Sequence, residues 1–124
     1  MSFTSDVHRI SEKYQADFEE IARGSFIELF TAVIFDTPVD IGRLRGNWQC
    51  TKNSPASSDV DRTGGSGAKA EVDATVTNLG VYYLTNNLPY AERIEYGWSR
   101  AKAPEGMVRR NVQRFPKILR KNLK

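Results

Sequence analysis

Apolar side chains recur at steps of three to five along the first third of the chain, which predicts one long amphipathic helix over residues 5–35. Ser5 is placed to cap this helix, and Gly24 is its weakest position. At 1.5 Å per residue the helix would be about 46 Å long, whereas a compact domain of this size has a radius of gyration of about 14 Å. We therefore expect the helix to overhang the domain or to bend near Gly24.

An overhanging helix would leave the apolar side chains of its first turns without a cover. The residues concerned are Val7, Ile10 and Tyr14. A second copy of the chain is the simplest cover for such a stripe, because homo-oligomers bury surfaces of this kind. The pattern therefore predicts a homo-oligomer with these three residues in its interface.

The periodic pattern changes at Pro38. Proline disfavours helical geometry at the residue before it, so the long helix is expected to stop near Asp36 or Thr37. Asp40 then has the position of an N-cap for one short helical turn, which Gly46 is placed to end. Residues 47–52 follow as an extended segment.

Two interpretations of this connection stay open. Arg43 and Arg45 are either solvated charges on a plain helix-to-strand connection or, with Asp40, part of a surface for a partner. A buried pair of Asp40 and Arg43 is a further alternative to the capping role.

The middle of the chain predicts a loop and two more strands. Residues 53–67 are rich in Ser, Pro, Asp and Gly, which favours a long mobile loop. Its glycines are not a phosphate cradle, since no lysine follows at the required spacing and no helix is expected after them. Apolar and polar residues alternate over 68–77, and 81–85 is β-branched and aromatic. With residues 47–52 these segments predict three antiparallel strands under the long helix, a single α+β domain.

Two short helical patterns complete the chain. The first runs from Pro89 to Glu95 and is expected to end at Gly97, with Tyr96 and Trp98 as core or interface aromatics. The second covers 104–121, where Pro116 should kink or interrupt it.

Charge is distributed unevenly. Residues 1–99 carry 9 basic and 14 acidic side chains, whereas residues 100–124 carry 9 and 1. This block would bind nucleic acid, dock on an acidic surface of a neighbouring subunit, or keep a terminal helix in water. The basic surface consists of Arg109, Arg110, Arg114, Lys117, Arg120 and Lys121.

Several function classes receive no support. A single Cys50 excludes an internal disulfide, and no apolar run approaches the roughly 20 residues of a membrane span. Residues 1–11 lack the blocks of a signal peptide. No nucleophile–base pair and no metal-ligand spacing is present, so we predict neither an enzyme nor a cofactor or metal site.

Four segments taken together are similar to a known family. They are TPVDIGRLRGNW at 37–48, LTNNLPYA at 84–91, IEYG at 94–97 and APEGMVR at 103–109. In this order and spacing they resemble the small neck and tail-completion proteins of long-tailed bacteriophages, although Ile41 stands where the family commonly has Thr.

The resemblance implies a non-enzymatic virion protein that is made in the host cytoplasm. Such a protein would form a ring, for example a hexamer, at the head–tail junction. It would contact neighbouring neck and tail-tube proteins, with DNA passing through its lumen. The competing interpretation is a small nucleic-acid-binding module that uses the basic segment.

Overall fold

The computed structural model describes residues 3–38, 42–78, 80–96 and 106–123. Its helices and strands follow in the order α1 (Phe3–Asp36), α2 (Gly42–Gly46), β1 (Trp48–Lys52), α3 (Gly65–Thr75), β2 (Tyr82–Asn86), α4 (Ala91–Glu95) and α5 (Val108–Asn122). The α+β class is confirmed, and so is a long N-terminal helix that ends before Pro38.

The sheet has two strands and not the three that were predicted. β1 and β2 pair antiparallel, with Cys50 opposite Leu84. Residues 68–77, predicted as a strand, lie largely in helix α3. Ala68, Val72 and Val76 are buried, and a step of four satisfies a helical period as well as an alternating one.

The helix α3 takes the place that a third strand would have beside β1. The Glu71 carboxylate on α3 accepts a hydrogen bond of 2.7 Å from the amide of Cys50. This amide is therefore satisfied by a helix side chain, and no strand is needed at that edge.

The core lies between the C-terminal half of α1, the sheet, α2 and α3. Ile34, Leu44 and Val72 are fully buried there. The hydroxyl of Thr37 accepts a hydrogen bond from the Trp48 indole at 2.8 Å and donates one to the carbonyl of Val33 at 2.9 Å. The end of α1 and the start of β1 are thus joined inside the core.

The connection after α1 is tightly packed. Helix α2 ends at Gly46 as predicted, and a side chain at Gly46 would overlap the backbone of Arg62. The Arg62 guanidinium donates to the carbonyl of Gly46 at 2.6 Å and to that of Trp48 at 2.7 Å. Glycine is required here because two backbone segments approach each other closely. Asp40, with its predicted capping role, lies outside the described residues.

The predicted loop 53–67 ends at Gly64, which has a φ of 75°. Helix α3 begins directly after it, so the expectation that no helix follows these glycines was wrong. The loop is joined to the strand region because the amide of Val60 donates to the Asn47 side chain at 2.8 Å. Its mobility stays a prediction.

Helix α5 continues through Pro116 to Asn122, so Pro116 does not interrupt it, and a kink at this residue stays a prediction. A proline inside a helix costs about 3 kcal/mol, and contacts with α1 on both sides of it offset this. The rings of Phe115 and Phe26 stack with centroids 6.1 Å apart, and the Asn122 side chain donates to the hydroxyl of Ser25 at 3.0 Å. Helix α4 ends at Glu95 but begins at Ala91 and not at Pro89 as predicted, while Gly97 and residues 104–105 lie outside the described part of the chain.

Candidate assembly surface

The N-terminal half of α1 projects from the domain. Every side chain that the structure describes between residues 5 and 18 is exposed, and the first buried one is Ala22. Ile10 is 49% exposed and Tyr14 is 69% exposed. The predicted overhang is therefore confirmed, and its length is about 24 Å for 16 residues. We call its exposed apolar side chains the apolar stripe, which consists of Val7, Ile10, Tyr14 and Phe18.

The apolar stripe continues the face of α1 that α5 covers. Tyr14, Ser25 and Asp36 are spaced by eleven residues, or about three turns, and therefore share one side of the helix. Asp36 accepts a hydrogen bond of 2.8 Å from Asn111, and Ser25 accepts one from Asn122. α5 thus runs antiparallel along α1 and ends beside Ser25. Beyond that point the same face carries the stripe without a covering helix.

A second apolar surface lies between α1, β2 and α5. It is formed by two adjoining cavities of about 370 Å³ and about 200 Å³, which share Leu29, Phe30 and Tyr82 as walls. We call this surface the apolar groove. Its remaining lining includes Phe26, Val33, Val81, Tyr83, Leu84, Val108, Val112 and Phe115. Val81 and Val112 are more than half exposed, so the groove opens to the outside.

Most cations of the predicted basic surface are paired with carboxylates of the same chain. Arg110 and Arg114 lie 3.3 and 3.7 Å from the Asp36 carboxylate. Lys121 pairs with Glu28, and this contact lowers the pKa of the Glu28 carboxyl. Lys117 and Arg120 form no ion pair with any of the described residues.

Glu95 holds the start of α5. Its carboxylate accepts the amides of Met107 and Val108 at 2.7 and 2.8 Å and that of Arg109 at 2.9 Å. The Arg109 guanidinium donates to the same group at 3.0 Å. Burial alone would raise the pKa of Glu95, but these hydrogen bonds outweigh it and the pKa is lowered. The carboxylate thus satisfies free amides at a helix N-terminus from another helix.

Arg43 and Arg45 lie at the other end of α1 from the apolar stripe. Arg43 forms an exposed pair with Asp59 at 2.9 Å. Arg45 donates to the carbonyls of Phe35 and Thr37 at 2.9 and 3.0 Å, so it satisfies the C-terminus of α1. Tyr14 and Thr37 are 23 residues apart on or next to α1, about 35 Å. The predicted interface residues therefore do not form one cluster.

Of the two aromatics after α4, Tyr96 is exposed and carries the Arg109 guanidinium 4.7 Å from its ring centroid. Trp98, like Asp40, lies outside the described residues.

Sequence reasoning missed Glu95 as a cap because its partners are 12–14 residues away. The apolar residues Val81, just before β2, and Tyr83, within it, are exposed in the structure and would have been a local signal for the groove.

Cys50 is unsuited to nucleophilic chemistry in this setting. Burial, assisted by the nearby Glu71 carboxylate, raises the pKa of its thiol to about 11. Among residues 3–38, 42–78, 80–96 and 106–123, no group of three His, Cys, Asp or Glu side chains could hold a metal ion. None of the helices in these ranges has both the length and the apolar character needed to cross a membrane.

Comparisons of the chain with models of known protein families, with curated proteins and with solved structures found no match.

Proposed function

We propose that this chain is a structural virion protein of a tailed phage, a tail-completion or head–tail connection subunit that forms a ring, such as a hexamer, at the neck. The observation that carries the proposal is the projecting half of α1 with its uncovered apolar stripe. Isolated domains rarely expose a contiguous apolar surface, and assembly between copies would bury it.

The resemblance to neck proteins gains support from the way its segments meet. The Asn86 side chain donates to the carbonyl of Leu44 at 2.8 Å, which joins segment 84–91 to segment 37–48. Glu95 joins segment 94–97 to segment 103–109 through the amide of Met107. Described residues of the four segments are thus joined in two pairs. Residues that serve the fold and its contacts in this way suit an assembly protein.

The partners of the proposed subunit are further copies of this chain and the neighbouring neck and tail-tube proteins. Lys117 and Arg120 are the cations best placed for non-specific contact with DNA in a lumen. The alternative function, a nucleic-acid-binding module, is less favoured because Asp36, Glu28 and Glu95 already neutralise much of the charge of α5. A gel-shift assay at two salt concentrations tests it, since phosphate binding weakens steeply with salt.

The proposed function is tested by deleting the gene from the genome that carries it and viewing the lysate by electron microscopy. We expect filled heads and separate tails that fail to join. Complementation with the wild-type chain or with Gln15→Asp should restore joined particles, whereas Ile10→Asp should not. Normal, infectious particles from the deletion strain would refute the proposal.

A further inference from the structure

We propose that the apolar stripe of one copy docks into the apolar groove of the next copy, in a head-to-tail arrangement. This inference deepens the proposed function and rests on its claim of self-assembly, although it does not depend on the virion assignment. It accounts for both uncovered apolar surfaces of the chain with a single contact.

The two surfaces match in form. The stripe covers 12 residues from Val7 to Phe18, about 17 Å along one face of a helix. Its side chains follow at steps of three, four and four, which is the spacing of anchors in complexes that place a helix in a groove. The groove offers two adjoining cavities of about 370 and 200 Å³ with apolar walls. It can therefore take several side chains in a row.

The two surfaces also match in charge. Residues 3–18 carry three carboxylates and two cations, so the overhang has a net charge of −1 with His8 neutral, and Glu19 and Glu20 follow directly after it. α5, which borders the groove, carries six cations and no carboxylate, and four of these cations pair with carboxylates elsewhere in the same chain. Val112, Pro116 and Arg120 follow one another at steps of four and share a helix face. Arg120, which forms no ion pair with any described residue, therefore lies on the groove side of α5.

A stripe that occupies the groove has to come from another copy, because α1 is one continuous helix. Tyr14 lies 15 residues before Leu29 of the groove, about 22 Å away along the same rod. A helix cannot fold back on itself without a break, so the chain is unable to fill its own groove. The stripe and the groove are different surfaces, which makes the contact heterologous. Each docked copy then leaves one free stripe and one free groove until a ring closes.

The test uses two variants that each disable one surface. Ile10→Asp places a charge in the stripe, and Val112→Asp places one in the groove. Both positions are about half exposed, so the fold should survive, which thermal melts by circular dichroism check. Each buried charge should weaken association about tenfold or more. Gln15→Asp and Gln113→Asp are matched controls at exposed positions on the same helices.

We expect the wild-type chain and both controls to form oligomers in sedimentation velocity, and each disabled variant to be monomeric. An equimolar mixture of the two disabled variants should form a dimer and nothing larger. In that dimer the intact stripe of Val112→Asp occupies the intact groove of Ile10→Asp. Head-to-tail docking is the arrangement that allows this complementation.

Three results would overturn the inference. The first is a mixture that stays monomeric, and the second is an oligomer that survives Val112→Asp, which would indicate stripe-to-stripe pairing. The third is a wild-type chain that is monomeric at its highest soluble concentration. None of these results decides whether the gene is needed for head–tail joining. The docking of stripe into groove and the proposed virion function can therefore be refuted independently of each other.

Charge complementarity has its own paired test. Arg120→Glu should weaken association, and the effect should shrink as salt is added, because exposed charges are screened over about 8 Å at physiological ionic strength. Lys117→Glu reverses a cation that lies one turn before Arg120 and farther round the helix from Val112, at about 140° against about 80°, so it should have a smaller effect on association. Equal effects of the two reversals would show that general charge, and not the groove, is responsible.

Discussion

The two halves of α1 have the same kind of sequence and opposite surroundings. From Ala22 to Asp36 the helix packs on the sheet, α3 and α5, and Ile34 is fully buried. From Ser5 to Phe18 the apolar side chains recur with the same helical spacing, yet every described one is exposed. The period of a stripe therefore indicates a helix that needs a partner, but it does not indicate whether that partner is in the same chain.

The largest effect should come from truncating one isoleucine in each half. Ile34→Ala removes a fully buried side chain and should lower the free energy of unfolding by about 2–5 kcal/mol. Ile10→Ala should change it by about 0.5 kcal/mol or less. Both values are measured by urea denaturation at a concentration where the chain is monomeric. A loss of similar size at Ile10 would place the stripe in the core of the domain.

Removing one hydroxyl group from each end of α1 tests the same difference between the packed and the exposed half. Thr37→Val keeps the shape of a buried side chain but leaves the Trp48 indole N–H without its acceptor, which should cost about 1–3 kcal/mol. Ser11→Ala, in the exposed half of α1, should be neutral within about 0.5 kcal/mol. Denaturation curves compare the two, and an unaffected Thr37→Val would mean that water replaces the lost acceptor.

The packed half of α1, from Ala22 to Asp36, depends on α5 for part of its cover. The Glu95 carboxylate in turn caps the N-terminus of α5. The pKa of Glu95 is lowered in the folded chain. The stability that its charged carboxylate contributes to the fold is therefore fully present above the pKa of an unfolded Glu, and it is lost as the pH falls through the folded pKa. Glu95→Gln should cost about 1 kcal/mol at neutral pH, as for a lost cap.

The difference between Glu95→Gln and the wild type should shrink as the pH falls below the ordinary pKa of Glu towards the lowered pKa of folded Glu95. Denaturation midpoints from pH 7 to pH 3 measure it. Glu92→Gln on the exposed side of α4 is the control. A difference that does not change with pH would rule out the carboxylate charge as its cause.

The smallest effect should follow deletion of residues 1–18. Residues 3–18 are helical and their described side chains are exposed within one copy, so the free energy of unfolding should change by about 0.5 kcal/mol or less while the far-ultraviolet helix signal falls. Hydrogen exchange should agree, with amides of residues 7–18 exchanging faster than those of residues 22–36 because a helix without packing is marginal in water. Strong destabilisation by the deletion would contradict the division of α1 into two halves.

Elements with strong local signals were predictable. Three such signals determine the conformation of the backbone next to them: the proline after α1, the glycine at the end of α2, and the β-branched and aromatic run of β2. The structure confirms all three. The overhang followed from helix length against domain size. The third strand failed because Ala68, Val72 and Val76 satisfy two periods at once, and only the packing against β1 selects the helix.

The sequence by itself determined the long helix, its stop, the strand β2 and the α+β class, because these depend on residues close together in the chain. The tertiary structure alone decided the rest: that α5 passes through Pro116, that Glu95 caps it, and that Asp36 and Glu28 take up its cations. It also brought α1, β2 and α5 together around the groove. Such features arise from contacts between distant residues, whose free energies outweigh local preferences and leave no periodic mark in the sequence.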